Sequence, residues 1–91
     1  MKKFIIERNV PGAGQLSPEE LSELAKQSNA TVASLGVPYH WHESFAAGDT
    51  IYCVHSAESP EVIVEHARRA GFPADKVTVV GGTFGPETAG V

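Results

Sequence analysis

Two helix-like segments in this chain open and close on the same punctuation, and that near-repeat restricts the fold more than any other feature. Ser17-Pro18-Glu19 runs to Gly36-Val37-Pro38, and Ser59-Pro60-Glu61 runs to Gly71-Phe72-Pro73, each followed by a β-prone run. Ser17 reads as a helix cap, Pro18 suits the first helical position, and Glu20 completes a capping box. Leu21, Leu24, Ala25, Ser28, Val32 and Leu35 then share one helical face. Gly36 supplies a left-handed stop, and Pro38 forbids continuation. In the second segment Val62, Ile63, His66, Ala67 and Ala70 form the inner stripe, and Gly71 ends it. With β-prone runs at Lys3 to Arg8 and Lys76 to Val80 and a hairpin between the helices, the order is β-α-β-β-α-β. That order predicts an α+β, ferredoxin-like domain, with a four-stranded antiparallel sheet and two helices on one face. The domain spans residues 1–80, and the Gly-, Pro- and Thr-rich residues 81–91 form a tail or an arm. The other sheet face has no cover from this chain, which predicts a homodimer, sheet against sheet.

The hairpin, Tyr39 to Ala57, concentrates the chemistry. It holds three of the four histidines, the one tryptophan, the one cysteine and both tyrosines. Side chains alternate along a strand, so His40, His42 and Ser44 share one face, and Tyr39, Trp41, Glu43 and Phe45 the other. A two-residue loop at Ala47-Gly48 or Gly48-Asp49 sets His55, Cys53 and Ile51 beside His40 and His42. The same loop sets Thr50, Tyr52 and Val54 beside the aromatics around Glu43. An extra loop residue or a bulge would exchange those partners.

Composition narrows the function. Ninety-one residues with 42% hydrophobic and 20% charged content make one modest globular core. A formal charge of -4 with no basic run argues against nucleic-acid binding. No apolar segment approaches the roughly 20 residues of a membrane span. The N-terminus is charged again at Glu7 and Arg8, too soon for a signal-peptide core. One cysteine excludes an internal disulfide and suits a reducing cytoplasm.

Two kinds of site compete. His40 and His42 present imidazoles about 6–7 Å apart at the backbone, close enough to share one metal. His55 on the partner strand is a third candidate ligand, with Cys53 or a carboxylate as a fourth. Imidazole suits zinc, copper, nickel and iron, so the residues do not choose the ion. The plainer reading is a pair of partly exposed polar strand residues. The other site sets Glu43 among Tyr39, Trp41, Phe45 and Tyr52, where a carboxylate must be paired or protonated. Glu43, with His66 from the second helix, would then move a proton in a cofactor-free enzyme, or hold a small organic ligand between Trp41, Tyr52 and Cys53. A Glu43 paired with Arg8 or Lys3 at the dimer interface is the plain alternative.

Phe4-Ile5-Ile6-Glu7-Arg8 with Pro11-Gly12-Ala13-Gly14, Trp41 to Ala57, and Glu65-His66-Ala67-Arg68 with Gly71-Phe72-Pro73-Ala74 carry a family likeness. On these stretches the chain resembles a family of small bacterial ferredoxin-like proteins, catalogued as a domain of unknown function, with some nickel-binding members. The resemblance implies the fold, a dimer and a link to nickel. Relatives often read Trp-x-His-Ser-Tyr where this chain has Trp41-His42-Glu43-Ser44-Phe45, so the histidine has moved to the neighbouring position. The expected function is thus a dimeric, cytoplasmic transition-metal binder of nickel type, ahead of the Glu43 and His66 enzyme or ligand module.

Overall fold

The computed structural model describes residues 1–90. Strands β1 (Lys2–Asn9), β2 (Tyr39–Ala47), β3 (Thr50–Ala57) and β4 (Lys76–Val79) form one antiparallel sheet in the order β2-β3-β1-β4. Helices α1 (Pro18–Ser34) and α2 (Pro60–Ala70) occupy the two crossovers, which completes the ferredoxin-like α+β fold. The capping box forms at Ser17 and Glu20, at 3.0 and 3.1 Å. Gly36 and Gly71 take the left-handed conformation that closes each helix, with φ of 68° and 75°. Residues Pro86–Gly90 form a short 3-10 helix beyond β4.

The hairpin turns through Gly48-Asp49, and Gly48 has the positive φ of 59° that a tight two-residue turn requires. The loop after β1 clamps this turn. Gly14 N–H donates to Gly48 O at 2.8 Å, and Gly12 N–H to Asp49 Oδ1 at 2.9 Å. A Cβ on Gly14 would lie 2.8 Å from Gly48 N, so only glycine permits this approach.

One sheet face packs on the helices. Phe4 and Ile6 of β1, Cys53 and Ala57 of β3, and Ile63 of α2 form the buried cluster. The two helices contribute unequally. α2 buries Ile63, His66, Ala67 and Ala70, whereas α1 buries only Ser28 and Thr31. Leu21 on the predicted α1 stripe is 42% exposed, and Leu24 and Ala25 are half-buried. α1 therefore stands off the sheet, and the gap is a cavity. The opposite sheet face carries Ile5, Tyr52 and Phe45, all exposed, beside half-buried Val54.

Candidate functional site

β2 decides which side chains meet. From the turn, Ala47↔Thr50, Phe45↔Tyr52, Ser44↔Cys53 and Glu43↔Val54 pair in the register that a two-residue loop predicts. A β-bulge at His42 then interrupts the ladder, and Trp41↔His55, His40↔Ser56 and Tyr39↔Ala57 pair beyond it. The extra residue exchanges the faces of everything upstream. Tyr39 and Trp41 consequently turn toward the helices with Ser44, Cys53 and His55. His40 and Glu43 face away, and the rings of His40 and His42 meet at 4.4 Å.

This corrects the predicted groupings. His55 does not join His40 and His42; it lies on the opposite face, 1% exposed. Glu43 is exposed rather than enclosed by Tyr39 and Trp41. Of the predicted pocket, Trp41 and Cys53 line the cavity, while Tyr52 sits on the far face. His66 meets Tyr39, His55 and Phe72, so Glu43 and His66 are separated by the sheet and share no pocket. Arg8 points to the helix side with Phe4 and Ile6, so it is no partner for Glu43.

On the outer face, His42 Nε2 and Ser56 Oγ are hydrogen-bonded at 2.7 Å. Partial desolvation, then His40 and Lys3, holds His42 below the usual imidazole range and favours its neutral form. If Nε2–H donates to the hydroxyl, Nδ1 keeps the lone pair that a metal needs. Among the described residues, no three or more His, Cys, Asp or Glu side chains converge as a metal group. One chain thus offers an oriented imidazole pair, not a closed site.

On the inner face the imidazoles are buried. The Tyr39 hydroxyl is hydrogen-bonded to His55 Nδ1, and Tyr39 stacks on His66 with ring centroids 5.2 Å apart. Burial, then the neighbouring His66 and Arg8, pushes His55 down to about 3. Burial, then Arg8, takes His66 down to about 4. Burial likewise raises the Tyr39 hydroxyl, which keeps its proton. His66 Nε2 meets Ser28 Oγ at 3.2 Å, while its Nδ1 is buried without a partner. The side chains of this layer are neutral, with one exception.

That exception is Arg8, 3% exposed. Its Nε donates to Cys53 Sγ at 3.4 Å and its Nη1 to Pro73 O at 2.7 Å. Its guanidinium lies 5.5 Å from the Phe72 ring centroid. The expected pairing with Glu43 would need Arg8 on that carboxylate's face, yet Phe4-x-Ile6-x-Arg8 places it on the core face by simple alternation.

The comparisons with known proteins come down on one family. The family model described as "Nickel responsive protein SCO4226-like" matches residues 4–80. The chain belongs to the SCO4226-like family. The crystal structure of SCO4226 from Streptomyces coelicolor A3(2) superposes with a TM-score of 0.73 at 21% identity, covering 90% of this chain and 99% of that one. At that identity the likeness establishes the fold of this SCO4226-like chain, and it agrees with the family resemblance carried by the sequence. Among curated proteins no relative matches. No helix among the described residues is long and apolar enough to cross a membrane.

Proposed function

We propose that this protein is a dimeric transition-metal binder of nickel type, with His40 and His42 as the imidazole ligands. The observation that carries this reading is the pair of exposed rings 4.4 Å apart, one of them oriented by Ser56. The family description, nickel responsive, supports the choice of ion. Two imidazoles supply part of the roughly four to six donors a transition metal takes. A second copy, docked on the exposed Ile5, Phe45 and Tyr52 of the same face, or water, completes the set. The bulge favours this arrangement, because it gathers His40, His42 and Glu43 on one face. A single cysteine, free and buried, suits a reducing, cytoplasmic setting.

Native mass spectrometry of untagged protein with and without nickel tests the proposal. The expected result is a dimer that takes up metal in integral steps, and a His40→Ala/His42→Ala variant that stays dimeric but loses uptake. Each single variant keeps one imidazole, so its uptake should fall between that of the wild type and that of the double variant. Equal uptake by the double variant would overturn the ligand assignment.

A further inference from the structure

The cavity between α1 and the sheet lies across the sheet from His40 and His42, and the metal reading does not use it. It has a volume of about 310 Å³, within the range of small-molecule sites. Leu21, Leu24, Trp41, Ile51 and Phe72 give it apolar and aromatic walls, and Arg8 is the one charged side chain that lines it. Two observations point to what it holds.

The first is the charge. Arg8 is buried, and no carboxylate of the described residues pairs with it. Its hydrogen bonds to Cys53 Sγ and Pro73 O use Nε and Nη1, which leaves Nη2 without a protein partner among the described residues. Guanidinium cannot lose its proton in a protein, so burial cannot be relieved by neutralisation. His55 and His66 respond instead by staying neutral, and they offer no counter-charge. An uncompensated buried cation is costly, and an anion with planar oxygens is the partner that guanidinium geometry suits best.

The second is the unfinished packing of α1. Leu21, Leu24 and Ala25 form an apolar helix stripe that should rest on the sheet, yet they face the cavity instead. An apolar body placed there would remove from water the surface that the chain itself leaves wet.

We propose that this cavity binds a small organic monocarboxylate with an aromatic or compact apolar body. The carboxylate meets Arg8, and the body lies between Trp41, Phe72 and the Leu21–Leu24 wall. Trp41 is the one tryptophan of the chain, so its fluorescence reports occupancy.

The test uses metal-free wild-type protein titrated with benzoate and phenylacetate, with the corresponding amides, and with inorganic phosphate. Trp41 fluorescence and the indole NMR signal are the readouts. The expected result is saturable binding of an aromatic acid, with its amide about tenfold or more weaker, since hydrogen bonds to a charged partner carry that difference. Phosphate should bind more weakly still, because it lacks the body. In Arg8→Gln, checked for retained fold by NMR, acid and amide should bind alike. No saturable acid binding below about 10 mM would overturn the proposal, as would an amide equal to its acid in the wild-type protein or phosphate as good as the acid. The wild-type comparison stands even if Arg8→Gln fails to fold.

Discussion

Taking this protein from about pH 7 to about pH 5 should remove about 4 kcal/mol of folding stability, about 2 from each of His55 and His66. Both imidazoles have folded-state pKa values far below the ordinary 6.5, near 3 and 4, because burial disfavours the charged ring. The sign follows from proton uptake. Well above about pH 6.5 both states are neutral at these positions, and stability is flat. Below it the unfolded chain binds protons that the native layer refuses, so stability falls until the folded pKa values are reached. Against a typical total of about 5–15 kcal/mol, such a loss brings a small domain near its unfolding limit. Urea denaturation across this pH range measures the effect. A His66→Leu variant should retain roughly half of the slope, since only His55 then contributes. A stability that is level from neutrality to pH 5 would mean that His55 and His66 are not held neutral in a dry layer.

The second large effect concerns the asymmetry between the helices. Ile63 of α2 is fully buried in the main cluster, and Ile63→Ala should cost about 2–5 kcal/mol through lost transfer energy and a residual cavity. Leu24 of α1 is half-buried against a cavity that already exists. Leu24→Ala should therefore cost about 1 kcal/mol or less, well below the usual core value, because it removes little contact and opens little new void. Urea midpoints of the two variants at neutral pH give the comparison. Equal costs would show that α1 packs as tightly as α2, and that the cavity is filled by the chain itself.

The fold was legible because its signals are local. Ser17, Pro18 and Glu20 start a helix by satisfying its first amide groups, and Gly36 and Gly71 stop helices by a conformation most residues avoid. The doubling of that pattern gave the topology, and Gly48-Asp49 gave the turn. The site was less legible because it depends on one extra residue in β2. Alternation correctly kept Tyr39 with Trp41 and His40 with His42, but no residue type announces that the ladder slips at His42. That slip moved His55 away from the exposed pair and brought Glu43 over to it. Arg8 was different in kind. Its place on the core face follows from the period of Phe4, Ile6 and Arg8, and the pairing with Glu43 set that period aside.

The bulge at His42 leaves His40 and His42 exposed on the outer face, away from the buried His55 and His66, and our proposal makes the exposed pair the metal ligands. NMR of the four histidine rings during a nickel titration distinguishes the two pairs. His40 and His42 should respond first, together with amide signals near Ser56, while His55 and His66 stay unchanged. A first response at His55 or His66, or none at any ring, would contradict it.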